Sequence, residues 1–183
     1  MKEKRDKILI SGGAGFVGSL LIQEFQKKHF TRENLICVDQ GLFGFNEVHK
    51  KCLLPENLYK TSVRVFTSNK ELMKKLLSQT KIVIHLAGLS NDPMADYDVV
   101  ANKDMNCIQT EMLADVCAKY GVPRFVFASS ASVYGDMEEN LCKENGPISP
   151  KSNYALSKAM GEKYLLNKKG LNPVILRKGT LYG

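Results

Sequence analysis

Tyr154 and Lys158 lie four residues apart in Ser149-Pro150-Lys151-Ser152-Asn153-Tyr154-Ala155-Leu156-Ser157-Lys158, a stretch that reads as the start of a helix. Four-residue spacing puts both side chains on one helical face. A phenol with a free pKa of about 10 is a poor base at neutral pH. A neighbouring ammonium favours the phenolate and brings it toward the working range. A tyrosine so placed can take a proton from a substrate hydroxyl. Upstream, Ser129-Ser130-Ala131-Ser132-Val133-Tyr134-Gly135 offers a hydroxyl, Ser130, to hold the same oxygen. Taken alone, Tyr-x-x-x-Lys is weak, because any exposed helix shows such pairs by chance.

A second group of residues suits phosphates. Ser11-Gly12-Gly13-Ala14-Gly15-Phe16-Val17-Gly18 follows the apolar run Lys7-Ile8-Leu9-Ile10 and precedes a segment with apolar residues at Val17, Leu20, Leu21 and Phe25. Strand, glycine turn and helix is the context in which such a run has meaning. Glycine reaches the backbone angles of the sharp turn, lets main chain approach a pyrophosphate, and lets helix pack on sheet. The N–H groups of the first helical turn then face the phosphates, helped by the helix dipole. Leu35-Ile36-Cys37-Val38-Asp39 reads as a second strand ending in a carboxylate. Asp39 comes about 20 residues after the last glycine, where a ribose-binding acid is expected. It would accept from ribose hydroxyls and repel a 2′-phosphate, favouring NAD over NADP. An ordinary strand-end turn also uses aspartate there.

The remaining elements must bring these groups together. Thr61–Phe66 reads as a third strand, 70–77 as a helix, and Ile82–Gly88 as a strand running into a small-residue turn. Met105, Ile108, Met112, Leu113 and Val116 mark a helix whose methionines are core filler. A fifth strand is expected over 124–128, a helix over 154–166 and a sixth strand over 173–177. Residues 40–60 show no clear period and read as a long loop with room for a short helix. Apolar strands alternating with amphipathic helices predict an α/β fold, a doubly wound parallel sheet of Rossmann type.

The 183 residues amount to one ordinary domain, 1–183, with 44% apolar and 25% charged side chains. The net charge of +7 suits an acidic ligand, but the lysines fall in short pairs such as Lys50-Lys51 and Lys74-Lys75. That is a solvated face rather than a nucleic-acid surface. Five scattered cysteines without Cys-x-x-Cys argue for neither a disulfide framework nor a metal site, so reduced thiols in a cytoplasm are expected. No apolar run approaches membrane-spanning length.

With glycine turn, strand-end acid, serine cluster and tyrosine–lysine pair in this order, the sequence resembles the extended short-chain dehydrogenase/reductase family. Within it, the NAD-dependent nucleotide-sugar epimerase/dehydratase group is the match. The resemblance runs from Gly12 through His85-Leu86-Ala87-Gly88, Asn106 and Val133-Tyr134-Gly135 to Arg177 and Tyr182-Gly183. It implies that Gly12, Gly15 and Gly18, with Phe16 and Val17 in the first helical turn, hold the NAD pyrophosphate, and Asp39 the adenosine ribose. Leu86, Ala87 and Gly88 would line the cofactor. Tyr154 would be the general base, Lys158 would bind the nicotinamide ribose and lower the tyrosine pKa, and Ser130 would be the catalytic serine. Asn106 would fix the active-site backbone.

Departures narrow the implied chemistry. The 4,6-dehydratases carry an Asp-Glu pair where this chain has Ala131 and Ser132, and the related decarboxylases keep a glutamate where Ser132 stands. The resemblance therefore implies 4-epimerisation of a nucleotide-sugar, a UDP-sugar first. A keto-sugar reductase is the nearest enzymatic rival, and a non-catalytic NAD-binding scaffold the rival of another class. Ser68 or Asn69 takes the place of an aspartate near the adenine, and Thr180 that of an asparagine. Family members continue beyond the segment at Gly183 into a nucleotide-sugar-binding part. A chain without that part is expected to turn over poorly alone and to self-associate as a homo-oligomer. It would be a fragment, a truncated product or half of a two-chain enzyme.

Overall fold

The computed structural model describes residues 5–28, 30–136 and 141–181. Six strands, β1 (Lys7–Ser11), β2 (Leu35–Asp39), β3 (Leu58–Lys60), β4 (Thr80–His85), β5 (Arg124–Ser130) and β6 (Pro173–Lys178), form one sheet in the order β3-β2-β1-β4-β5-β6. Every pairing is parallel. The order reverses between β1 and β4, and the crevice beyond their carboxyl ends is where such sheets bind ligands.

Strand alternation sorts the core into two layers. Ile8, Ile10, Leu35 and Cys37 point to the face covered by α1 (Phe16–Lys27) and α2 (Glu47–Cys52). Leu9, Ile36, Val38, Val83, Phe125 and Phe127 share the other cluster with α3 (Val63–Ser68), α4 (Lys70–Gln79), α7 (Gln109–Lys119) and α8 (Asn153–Asn167). Each such side chain, fully buried, contributes about 1.5–3 kcal/mol. Two short helices, α5 (Asp92–Tyr97) and α6 (Val99–Lys103), carry the chain from β4 to a wide π-turn at Asp104–Ile108 that leads into α7. Arg5 donates to the carbonyls of Leu77, Thr80 and Tyr120, closing the C-terminal ends of α4 and α7. Among the described residues no helix is long and apolar enough to cross a membrane. All five cysteines are free.

The fold corrects the expected third strand. β3 is Leu58–Lys60, and most of Thr61–Phe66 lies in α3. The run Val63-Arg64-Val65-Phe66 alternates like a strand, but Ser62 accepts from the Val65 N–H and caps a helix that buries Val63, Phe66 and Thr67. Those three sit at helical spacing. In α1 the apolar residue that reaches full burial is Ile22, while Leu20 is half-exposed.

Candidate active site

The turn after β1 shows why it is rich in glycine. Gly12 has φ +76°, and a Cβ there would stand 2.5 Å from the Ala87 nitrogen. A Cβ on Gly18 would stand 2.4 Å from the Gly12 carbonyl oxygen. These two permit the turn and the seating of α1. Gly15 differs: a Cβ there meets only the Gly12 oxygen, at 3.4 Å. It caps α1 with no side chain of its own, and the first turn holds no acidic residue. The N-terminus of α1 therefore presents its N–H groups bare to a cavity of about 1090 Å³, larger than a typical small-molecule pocket. Asp39 lies in the same wall, its Oδ2 accepting the Ala14 N–H at 2.9 Å and its Oδ1 the Gly41 N–H at 2.7 Å. The carboxylate braces the glycine turn and keeps lone pairs for further donors. At this end the wall after β3 is formed by Thr61, Ser62 and Val63; Ser68 and Asn69 lie further along, Asn69 capping α4.

The other end of the cavity is built where β5, β6 and α8 meet. Gly12, Gly15, Phe16, Val17, Gly18, Asp39, Leu86, Ala87, Gly88, Ser130, Tyr154 and Lys158 all line the one cavity. Ser130 Oγ accepts from the Ser132 backbone N–H at 3.2 Å and from Ser132 Oγ at 2.8 Å. With both lone pairs engaged, its own proton is left to donate, and the Tyr154 phenol is its neighbour. Tyr154 and Lys158 are nearly fully buried on α8. The Lys158 ammonium stands 5.1 Å from the Phe127 ring centroid and 5.7 Å from that of Tyr154. Burial, then the nearby Lys178, pulls its pKa down to about 8. The expected lowering of the Tyr154 pKa is not what the structure shows. Burial pushes the phenol up, Ser130 opposes, and Asp92 adds to the rise.

Asn106 lies behind the wall, fully buried in the π-turn. Its amide donates to the Leu89 carbonyl at 3.2 Å and to Asn102 Oδ1 at 2.6 Å, and Asn102 donates to the Asn153 carbonyl at 3.0 Å. One chain of hydrogen bonds thus ties the β4 turn to the first residue of the helix that carries Tyr154. Gly88, at φ +147°, is required there because a Cβ would run into Asn106 Oδ1.

Comparison with known proteins fits this geometry. The model of the NAD dependent epimerase/dehydratase family matches residues 8–183. The chain belongs to that family. An uncharacterized UDP-glucose epimerase of Bacillus subtilis is 33% identical over 189 residues, covering 97% of this chain and 57% of the relative. The dTDP-D-glucose 4,6-dehydratase of Dictyostelium discoideum is 30% identical over 196 residues, covering 97% and 44%. Among solved structures, the UDP-glucose 4-epimerase of Thermus thermophilus in complex with NAD superposes with a TM-score of 0.77 at 28% identity, covering 93% and 54%. The chain spans about half the length of the relatives it matches.

NAD is the cofactor of the epimerase/dehydratase family, and the bare α1 N-terminus, the open side of Gly15 and the Asp39 carboxylate fit it. Further residues shape the site. His85 is buried at the end of β4, its Nδ1 2.5 Å from Ser11 Oγ and its Nε2 2.9 Å from Thr110 Oγ1. Since Thr110 donates to the Asn106 carbonyl, His85 carries its proton on Nε2 and accepts from Ser11. Burial holds its pKa down to about 3, so the relay stays neutral. His49, in the segment read as a loop, is buried in α2; its Nδ1 accepts from the Asn46 N–H, which leaves Nε2 to donate to the Gly13 carbonyl at 3.1 Å. The Asn46–His49 capping pair was the available signal. Glu162, buried on α8, holds Arg177 through both oxygens and takes the Ser129 hydroxyl, fixing the residue next to Ser130. Lys178, paired in register with Ser130, also lines the cavity, as do Thr180 and Asp92. Tyr182 and Gly183 lie outside the described residues.

Proposed function

We propose that the chain is the NAD-binding and catalytic portion of a nucleotide-sugar 4-epimerase, with a UDP-hexose as substrate. The observation that carries this reading is Tyr154, buried beside Ser130 and Lys158 in the cavity that also receives the glycine turn. Gly12, Gly15 and Gly18 would hold the pyrophosphate against α1, Asp39 the adenosine ribose, and Lys158 the nicotinamide ribose. When bound, NAD would supply the hydride acceptor and donor needed at the sugar carbon. Ser130, committed as a donor by Ser132, would hold the sugar oxygen. Tyr154 Oη would take that oxygen's proton and give it back. The upward pull of burial on Tyr154 makes its phenolate, once formed, a strong base. The Lys158 ammonium and the positive ring of the cofactor would favour that phenolate.

The residues beside Ser130 support epimerisation over elimination, since Ala131 and Ser132 offer no acid–base pair and the Ser132 hydroxyl is engaged with Ser130. The names of the relatives, a UDP-glucose epimerase and a dTDP-D-glucose dehydratase, both concern a nucleotide-activated hexose. In the full-length protein, Tyr154→Phe is expected to lower kcat for UDP-glucose epimerisation by about 10²–10⁴-fold. Calorimetry should show NAD binding nearly unchanged. Turnover at the parent rate in that variant removes Tyr154 as the base.

A further inference from the structure

We infer that Lys178 is a specificity-determining residue of this site and that it favours an acidic sugar. Its ammonium receives a carboxylate on the carbon next to the reacting one, as in a nucleotide-activated hexuronate. The inference rests on the tyrosine-base reading above and goes beyond it to the substrate.

Lys178 is the last residue of β6 and is paired in register with Ser130, the last residue of β5. Register partners on neighbouring strands lie about 5 Å apart and share one face of the sheet. Both residues line the cavity, so the lysine stands beside the serine that would hold the sugar oxygen. Lysines on edge strands commonly face solvent and guard the edge. β6 is an edge strand, yet Lys178 is half-buried in the cavity wall. One residue back, on the opposite face, Arg177 is held by both oxygens of Glu162. Lys178 has no such partner. Among the described residues no carboxylate, that of Asp92 in the same wall included, comes within ion-pair distance of it.

Other charged groups of the cavity have their tasks. Asp39 takes the Ala14 and Gly41 N–H groups at the glycine-turn end, and Lys158 is assigned to the nicotinamide ribose. Burial lowers the pKa of both lysines, and the charge of Lys178 lowers that of Lys158 further. Two partly desolvated cations without an anion are costly, and an anionic ligand offsets that cost. The cofactor's pyrophosphate goes to the α1 N-terminus, at the other end of the cavity. The diphosphate of a nucleotide-sugar sits on C1, across the ring from C4. A carboxylate at C6 hangs from C5, the neighbour of C4, and so falls beside Ser130. A neutral sugar still meets Ser130 and Tyr154 but leaves the ammonium unpaired, so it binds less tightly.

The test is calorimetric titration of the full-length protein, with NAD in excess, using UDP, UDP-glucose and UDP-glucuronic acid. It is repeated with Lys178→Met and Lys178→Arg. Wild type should bind UDP-glucuronic acid about tenfold or more tightly than UDP-glucose, as expected for a hydrogen-bonded ion pair gained at C6. Lys178→Met, which keeps the length of the side chain without its charge, should erase that ratio. Lys178→Arg keeps the charge and should retain most of it. Equal affinities in wild type, or a wild-type ratio in a folded Lys178→Met protein, overturn the inference. So does a loss in that variant as large for UDP as for UDP-glucuronic acid, because the ammonium then holds the diphosphate. Each of these leaves the tyrosine-base reading in place, since that is read from turnover of Tyr154→Phe. Absence of binding by UDP and both sugars to wild type removes both.

Discussion

Lys158 shows how the site trades stability for reactivity. Its ammonium is nearly fully buried against two aromatic rings, and its pKa falls from the ordinary 10.5 to about 8. The unfolded chain holds this proton more tightly than the fold does. The resulting penalty on the fold is therefore complete below about pH 8 and fades as pH rises toward 10.5. Lys158→Met, which fills the space without the charge, should raise stability by about 1–3 kcal/mol at pH 7. The gain should shrink toward pH 10, while turnover is lost. Urea unfolding at the two pH values measures this, and an equal effect at both would mean that the buried charge is not the cause. At this scale the sequence is informative where chemistry follows chain spacing: Tyr154 and Lys158 declare themselves by sharing a helical face. Lys178 does not, because its meaning comes from Ser130 on the neighbouring strand. The direction of the Tyr154 shift was also out of reach, since it depends on how deeply α8 is buried.

At the scale of elements, the glycine turn separates packing from binding. Gly18→Ala would drive a Cβ against the Gly12 carbonyl and the Gly13 Cα, backbone atoms that cannot move aside. It should cost about 1–3 kcal/mol or more in thermal unfolding. Gly15→Ala meets no such obstacle and should keep the fold, at a cost of about 1 kcal/mol for the poorer cap. It places a methyl at the open end of α1, so NAD affinity measured by calorimetry should fall about tenfold or more, a loss of about 1.4 kcal/mol or greater. If Gly15→Ala binds NAD as the parent does, the α1 N-terminus is not where the phosphates sit. The first two strands are legible from their apolar runs and the turn between them. The third was misread because alternation over six residues suits a strand and a short amphipathic helix alike, and the Ser62 cap decides between them. Residues 40–60 stayed opaque for a related reason. Helix α2 is short and largely polar, and it is fixed by the contact from His49 to the Gly13 carbonyl rather than by its own periodicity.

For the whole molecule, the strand order places the chemistry. Because the order turns at β1 and β4, the glycine turn after β1 and the Leu86–Gly88 turn after β4 face the same crevice. β5 and β6 then set Ser130 and Lys178 side by side at its far end. Alternating strands and helices predicted this arrangement, and the buried hydrogen bonds from Ser11 through His85 and Thr110 to Asn106 lock the two halves together. The central claim is that a tyrosine base and NAD together invert one sugar carbon by removing and returning the same hydride. UDP-glucose carrying deuterium at C4, incubated with the full-length protein and NAD and followed by NMR, tests it most directly. The account predicts the C4 epimer with deuterium retained at C4, and no product from Tyr154→Phe. Epimer that has lost its label to water, or epimer formed by the phenylalanine variant, would contradict it.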